Sequence, residues 1–373
     1  MNPKTIRLRT FLRATLTVAA LIISSITWAN PPDGVLDQTH ASVRAVVAVQ
    51  AEVTPELMSW PGVLGTAVGV DDSGTASLLV YVDQDGHGVS DVVRALPAQL
   101  RGIAVKAELT DKFRAFRGKP GGSGTSHTAI QAPPIQLGTS GGWRKDLANG
   151  YCCGGTIGSL IQVNGVQYIL SNYHVFESDI VGGGNGIVAS TGDNIIQPGL
   201  IDVGCNANSA QNVATLVKVS SLPGSNVDCS VAQVISGQVS SDGAILEIGT
   251  ISSKTAGAFL NQAVKKSGRT TGLSRSKVNG LNATISVTYD NECAGGTAFT
   301  KVFSGQIVIA NQGSGFLNSG DSGSLMVEDV TTNPQAVGLL YAGSSTSAIA
   351  NPIAEVLQFL GGKLGGAATM VGN

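Results

Sequence analysis

The chain is 373 residues long, enough for two or three compact units around a substantial core. Charged residues make up 13% of it and the formal net charge is −2, against a usual charged share of about 25%. No basic surface is available for nucleic acid, and 49 glycines with only 5% aromatics favour a strand- and loop-rich exported protein over a helical one.

Residues 1–29 read as a signal peptide. Lys4, Arg7, Arg9 and Arg13 form a positive front, "LTVAALIISSI" is a short apolar run, and "TWA" ends it before Asn30. The run falls short of the roughly 20 residues a spanning helix needs. No later segment is long and apolar enough, so no membrane span is expected after cleavage. A secreted or periplasmic location is therefore expected.

Residues 36–117 read as a small α+β domain. "HASVRAVVAVQAEV" has helical apolar spacing, and Thr54-Pro55 could cap and open a second helix. "GVLGTAVGV" and "ASLLVYVDQ" are strand-like runs around the turn "DDSG"; "IAVKAEL" adds a third. "DVVRALPAQL" is a short helix that Pro97 interrupts. "DQDGHG", from Asp83 to Gly88, lacks the rest of a calcium loop and reads as a turn. This domain is a candidate to contact or regulate the larger C-terminal region.

Residues 118–142 are dominated by Gly, Ser and Pro and read as a flexible linker, with His127 solvated. From 143 to 373 the pattern is short strands and turns. "TIGSLIQV", Asn164-Gly165 and "VQYILS" form a hairpin signal, because Asn-Gly accepts the positive φ angles of a type I′ turn. "VATLVKV", "CSVAQVI", "ISVTY", "QIVIA", "SLMVEDV" and "AVGLLYAG" supply further strands, and "NPIAEVLQFLGG" a closing helix. The fold class is mainly β, as barrels or a sandwich.

Five cysteines and four histidines, with no Cys-x-x-Cys spacing, give no zinc signature. No metal or cofactor is expected. In an exported chain the cysteines can pair. Cys152 or Cys153 is expected to join Cys205, and Cys229 to face a barrel core as a thiol.

"NSGDSGSLMV" places Ser322 between glycines after an acid. His174 closes the run "VQYILSNYH", and Asp228 stands at the entry to the strand "CSVAQVI". Asp202 is the rival acid. In the order His, Asp, Ser, the segments "LSNYHV", "VDCSVAQV" and "GDSGS" resemble the trypsin/chymotrypsin-like serine peptidases, especially exported bacterial members with a small extra N-terminal domain. The resemblance spans roughly 150–360. It implies two six-stranded antiparallel barrels with a cleft between them and a protein or peptide as substrate.

It also implies roles. His174 is the base, Asp228 orients it, Ser322 is the nucleophile, and the N–H groups of Gly320 and Ser322 form the oxyanion hole. Activity would rise from about pH 6 to 7.5 as His174 loses its proton. Phe316, six residues before Ser322, and Leu317 would floor the specificity pocket, opposite Tyr341, Ala342 and Gly343. An aromatic floor implies a preference for apolar residues rather than Arg or Lys. Val175 stands where relatives have a cysteine, and no activation junction is evident. In "KKSGRTTG", Arg269 reads as a structural ion pair or a substrate clamp, and Lys265 and Lys266 as a solvated face. The alternative is a non-catalytic or self-processing binding protein on a peptidase scaffold.

Overall fold

In a computed structural model of the chain, the described residues are 34–115, 125–148, 151–177, 188–289 and 299–373. The expected signal peptide at 1–29 lies outside them. The first elements are α1 (Ala41–Leu57), β1 (Val63–Val70), β2 (Ala76–Asp83), α2 (Val89–Ala95), β3 (Gln99–Leu100), β4 (Ile103–Thr110) and β5 (Phe113–Ala115). Helix α1 buries Val43, Val46 and Val49 at helical spacing. Thr54-Pro55, expected to open a second helix, lies inside α1 instead. Pro55 falls in the last turn, where its missing N–H forgoes the one hydrogen bond to the Ala51 carbonyl. The Thr54 hydroxyl meets that of Thr66 in β1 at 2.7 Å, holding the turn on the sheet.

The stretch expected to be a flexible linker is fixed from Thr125 onward. After the short α3 (Thr125–Thr128), Ile135 and Leu137 are fully buried and β6 (Thr139–Trp143) is a buried strand. Its glycines serve packing rather than flexibility: a Cβ at Gly141 would collide with Ile157. Residues 116–124 lie outside the described chain.

Then come β7 (Leu147–Ala148), β8 (Tyr151–Cys152), β9 (Gly155–Ile157), β10 (Ser159–Val163), β11 (Val166–Ser171), α4 (Tyr173–Phe176), β12 (Asn194–Gln197), β13 (Gln211–Val217) and β14 (Ser230–Val234). The expected hairpin turn is present, with Val163 opposite Val166 and positive φ at Asn164 and Gly165. Hydrogen-bonded neighbours run β10-β11-β14-β13-β12-β6-β9. Since only Gly158 separates β9 from β10, they act as one bent strand and the six strands close on themselves. That barrel is filled by Leu160, Ile169, Ile195, Val213, Val231 and their neighbours.

The second barrel comprises β15 (Ala263–Gly268), β16 (Gly272–Tyr289), β17 (Phe299–Ala310), β18 (Leu325–Glu328), β19 (Ala336–Gly343) and β20 (Ser347–Pro352). The order β15-β18-β19-β20-β17-β16 is closed by β15 pairing with β16. Two six-stranded antiparallel barrels are thus present, as expected. Helix α5 (Ile353–Leu364) comes next and ends at Gly365 with φ 74°. The last strand, β21 (Ala368–Met370), returns to the first barrel and pairs with β10.

The N-terminal elements share the second barrel's sheet. Strand β1 pairs antiparallel with β16, and β2 and β4 extend the sheet outward. Val35–Asn373 forms one compact unit.

Two disulfide expectations are met. Cys152 bonds Cys205 at 2.04 Å, and Cys229 is a buried free thiol. Cys153 is also disulfide-bonded. Cys293 lies outside the described residues.

Candidate active site

The site is built where the two barrels meet. Strand β11 ends at Ser171, and the chain turns at once into the single helical turn α4, which carries His174. The expected position was a strand end; the turn places His174 just beyond it. The first N–H groups of a helix have no partner within it, and here they point at Asp228. Its Oδ1 accepts from Tyr173 N at 2.7 Å and His174 N at 3.4 Å. Its Oδ2 lies 2.6 Å from His174 Nδ1. Asn172 Nδ2 donates to the Asp228 carbonyl at 2.7 Å. From the second barrel, Tyr289 Oη donates to Oδ2 at 2.9 Å, and Asp228 N donates to Asn351 Oδ1 at 2.6 Å. Asn351 is braced by Gln306 at 2.8 Å. Burial of this carboxylate is therefore offset by a full set of donors. Cys229 turns the other way, into the barrel core.

Ser322 sits on the turn before β18. Gly320 and Gly323 have φ of 96° and 93°. A Cβ at Gly320 would meet Thr270 Oγ1 at 2.6 Å, and one at Gly323 would collide with Ser171 Oγ. Only glycine permits both the conformation and the approach. The turn also docks on the first barrel: Thr156 N donates to Ser322 O at 2.9 Å, and Thr156 Oγ1 to Gly320 O at 2.9 Å. Ser322 Oγ lies 3.4 Å from Tyr341 O. His174 Nε2 is buried with no hydrogen-bond partner among the described residues, so no hydrogen bond joins it to Ser322 Oγ. Such bonds are often long before substrate binds. Ser322, His174 and Asp228 are 1%, 2% and 0% exposed.

Asp321 pins the same turn from below. Its carboxylate accepts from Asn318 N at 3.0 Å, Thr270 N at 2.8 Å and Thr271 N at 3.1 Å. It also pairs with Lys266 Nζ at 3.1 Å. The solvated face expected for Lys265 and Lys266 is corrected here: both are buried, and Lys265 Nζ donates to Val330 O at 2.6 Å. Sequence spacing cannot reveal a lysine whose partner lies far along the chain. Burial pushes the Lys266 ammonium below the usual lysine value, while Asp321 and Glu247 pull it back up. Lys266→Ala is expected to cost about 3–5 kcal/mol, because it leaves a buried charge unpaired. Chemical denaturation would measure it, and a loss under about 1 kcal/mol would contradict the pairing.

Arg269 clamps the rival acid. It reaches Asp202 through Nε at 2.9 Å and Nη2 at 2.5 Å. Ser140 donates to the same carboxylate at 2.6 Å. Asp202 therefore joins the barrels, and Arg269 is a structural partner.

His127, expected in solvent, is 5% exposed. Its Nε2 lies 3.0 Å from Ser267 Oγ and 3.1 Å from Glu247 Oε2. No local pattern signals this, because both partners come from distant segments. Burial holds the ring below the usual histidine value, with Glu247 opposing. The unfolded chain then binds the proton more tightly. The corresponding stability is fully present above about pH 6.5 and is lost as pH falls through that value towards the lower folded one. His127→Gln is expected to flatten the fall in melting temperature between pH 7.5 and 5.5; identical slopes would refute this.

The residues expected to bind substrate fall in two places. Phe316 and Leu317 pack in the core of the second barrel with Leu340 and Ala348, their N–H groups held by Asn311 Oδ1 at 3.0 and 2.8 Å. Tyr341, Ala342 and Gly343 form the end of β19, and this edge is already occupied by the chain itself. Arg114 of β5 pairs antiparallel with Gly343, while β5 runs parallel to β16 with Ala115 opposite Tyr289. Just before β5, Asp111 Oδ1 accepts from Ser345 N at 2.8 Å, and Thr110 Oγ1 donates to Ser344 Oγ at 2.7 Å.

Among the described residues, no cluster of His, Cys, Asp or Glu fits a metal, and no helix is long and apolar enough to cross a membrane. No protein-family model and no curated protein matches the chain. Among solved structures it is similar to a glutamic-acid-specific serine protease at 17% identity and TM-score 0.41, covering 63% of this chain and 100% of the other. It is also similar to Thermobifida fusca Protease A, at 18% identity and TM-score 0.40, covering 64% and 99%. Cellulomonas bogoriensis chymotrypsin matches at 21% identity and TM-score 0.37, covering 64% and 99%.

Proposed function

We propose that the chain is an exported serine endopeptidase with His174, Asp228 and Ser322 as its triad. The observation that carries this reading is the buried His174–Asp228 pair at 2.6 Å, with the carboxylate held by the N–H groups of α4 and by Tyr289 of the second barrel. His174 Nε2, the nitrogen that must accept a proton, is left without a partner among the described residues. The nucleophile's turn is fixed against Thr156 and Ser171, three residues before His174. In the reaction, Ser322 Oγ attacks the peptide carbonyl as His174 takes its proton and later gives it to the leaving amine. The N–H groups of Gly320 and Ser322 would meet the oxyanion. Asp321, held by Lys266 and three backbone N–H groups, would keep that turn in place. A non-catalytic binding protein on this scaffold is disfavoured, since all three residue types are present.

The pairing of β5 with Gly343 favours a covered form of the same enzyme. An extended peptide substrate gains affinity by adding a strand to an exposed edge, and Arg114 of β5 already pairs with Gly343 at the end of this one. The N-terminal unit at 36–117 would then restrain activity until β5 leaves. Once uncovered, an apolar pocket beside Phe316 would disfavour Arg and Lys, since burying an unpaired cation is costly.

A fluorophosphonate probe tests these points together. It should label Ser322 weakly in the full chain and strongly in an Asp111→Ala/Arg114→Pro variant, because proline cannot donate to a strand ladder. No labelling of either protein would sink the peptidase reading, and equal labelling would sink the covering role. In a peptide-library digest by the double variant, cleavage mainly after Arg or Lys would refute the apolar pocket.

A further inference from the structure

The donor set around Asp228 contains one group that the triad mechanism does not use. Tyr289, at the end of β16, comes from the second barrel, whereas His174 and Asp228 belong to the first. Its Oη lies 2.9 Å from Asp228 Oδ2, the same oxygen that meets His174 Nδ1 at 2.6 Å. The ring also lies edge-on to the His174 ring, with centroids 5.9 Å apart. Phe299 and Phe303 pack on it at 6.5 and 6.4 Å, which limits its freedom to turn away. Tyr341 is a second tyrosine beside this carboxylate, but its hydroxyl makes no hydrogen bond among the described residues. Proximity alone therefore does not produce the contact.

We propose that Tyr289 is a positioning residue that acts through Asp228: its hydroxyl fixes the carboxylate under His174 and draws off part of its negative charge, setting how strongly His174 holds a proton. The inference rests on the peptidase reading above. Two donors share Oδ2. The more charge the phenol takes up, the less is left to stabilise the imidazolium. A group that only filled space would leave the proton affinity of His174 unchanged. Burial and the neighbouring Asp228 raise the Tyr289 phenol well above its usual value, so it stays protonated and remains a donor through neutral pH. Asp228 is faced by His174, Tyr289 and Tyr341, with Glu355 acting on Tyr341 from behind; Cys229 is next along the chain, with Glu177 near it.

The test is a pH profile in both directions. In Tyr289→Phe the ring remains and the donor is lost. The acid limb of kcat/KM should move up by roughly half a pH unit, so activity falls more at pH 6 than at pH 8.5. Global replacement of tyrosine by 3-fluorotyrosine makes the phenol a stronger donor, and the limb should move down. This second arm does not depend on the variant folding. A third arm needs no turnover: in the Ser322→Ala protein, the His174 ring followed by NMR should titrate at higher pH when Tyr289→Phe is added. An unmoved limb and an unmoved titration, whether activity falls or not, would overturn the proposal. Absence of activity and of probe labelling in both the full chain and its Asp111→Ala/Arg114→Pro variant would count against the peptidase reading alone, since the NMR arm still decides the role of Tyr289.

Discussion

Ser322→Ala is expected to lower kcat by a factor on the order of 10⁶ while leaving the fold intact. The serine and histidine of a triad act as a unit, so His174→Ala should cost about as much. The effect on stability should be small for a specific reason. The contact of Ser322 Oγ with Tyr341 O is long, at 3.4 Å, whereas the turn's hold on the first barrel runs through backbone atoms that the substitution keeps. Turnover of a peptide substrate in the Asp111→Ala/Arg114→Pro background, beside a thermal melt, would measure both. Undiminished probe labelling in Ser322→Ala would show that another residue is the nucleophile.

The second large effect is expected from Asp228→Asn, with activity down by about 10⁴ at neutral pH. The amide keeps the shape of the carboxylate. Its oxygen can still accept from Tyr173 N, but its NH₂ then faces His174 Nδ1 and favours the wrong tautomer. Loss of the negative charge also removes stabilisation of the imidazolium. Asp202→Asn offers the contrast. Asp202 is bound to Arg269 and Ser140, so its loss should appear mainly as a lower melting temperature. If Asp202→Asn proved the more damaging to kcat and Asp228→Asn kept activity within tenfold, the assignment of the acid would be reversed.

Much of the framework is legible from local pattern. Asn164-Gly165 marks its hairpin because positive φ at two successive residues leaves few sequence choices. The alternation after Asp228 puts Cys229 in the core, as observed. The glycines around Ser322 announce a tight turn, and both adopt positive φ. What local pattern cannot carry is a partner from elsewhere in the chain. Lys266 resembles part of a charged surface pair because nothing near it in sequence is acidic; its partner is Asp321. His127 has no charged residue near it in sequence, yet Ser267 and Glu247 enclose it. Asn351 has the pattern of a helix start, but Pro352 takes that place and Asn351 holds the backbone of Asp228. Tyr289 has no sequence signal at all. "ISVTY" identifies a strand, but not that β16 is 18 residues long and reaches across to the other barrel.

The return of β21 to β10 bears on how the molecule is made. Ile161 pairs with Met370, and Val371 N donates to Leu160 O at 3.0 Å. One edge of the first barrel is therefore completed only once residues that lie far downstream in the chain have emerged. Until then β10 exposes unpaired N–H and C=O groups along that edge, a template for association with other chains. Contacts so distant in sequence also slow folding. A nascent chain is thus expected to depend on chaperones until β21 has emerged, and a variant lacking residues 368–371 is expected to lose yield, since Met370 and Val371 belong to the first barrel's core.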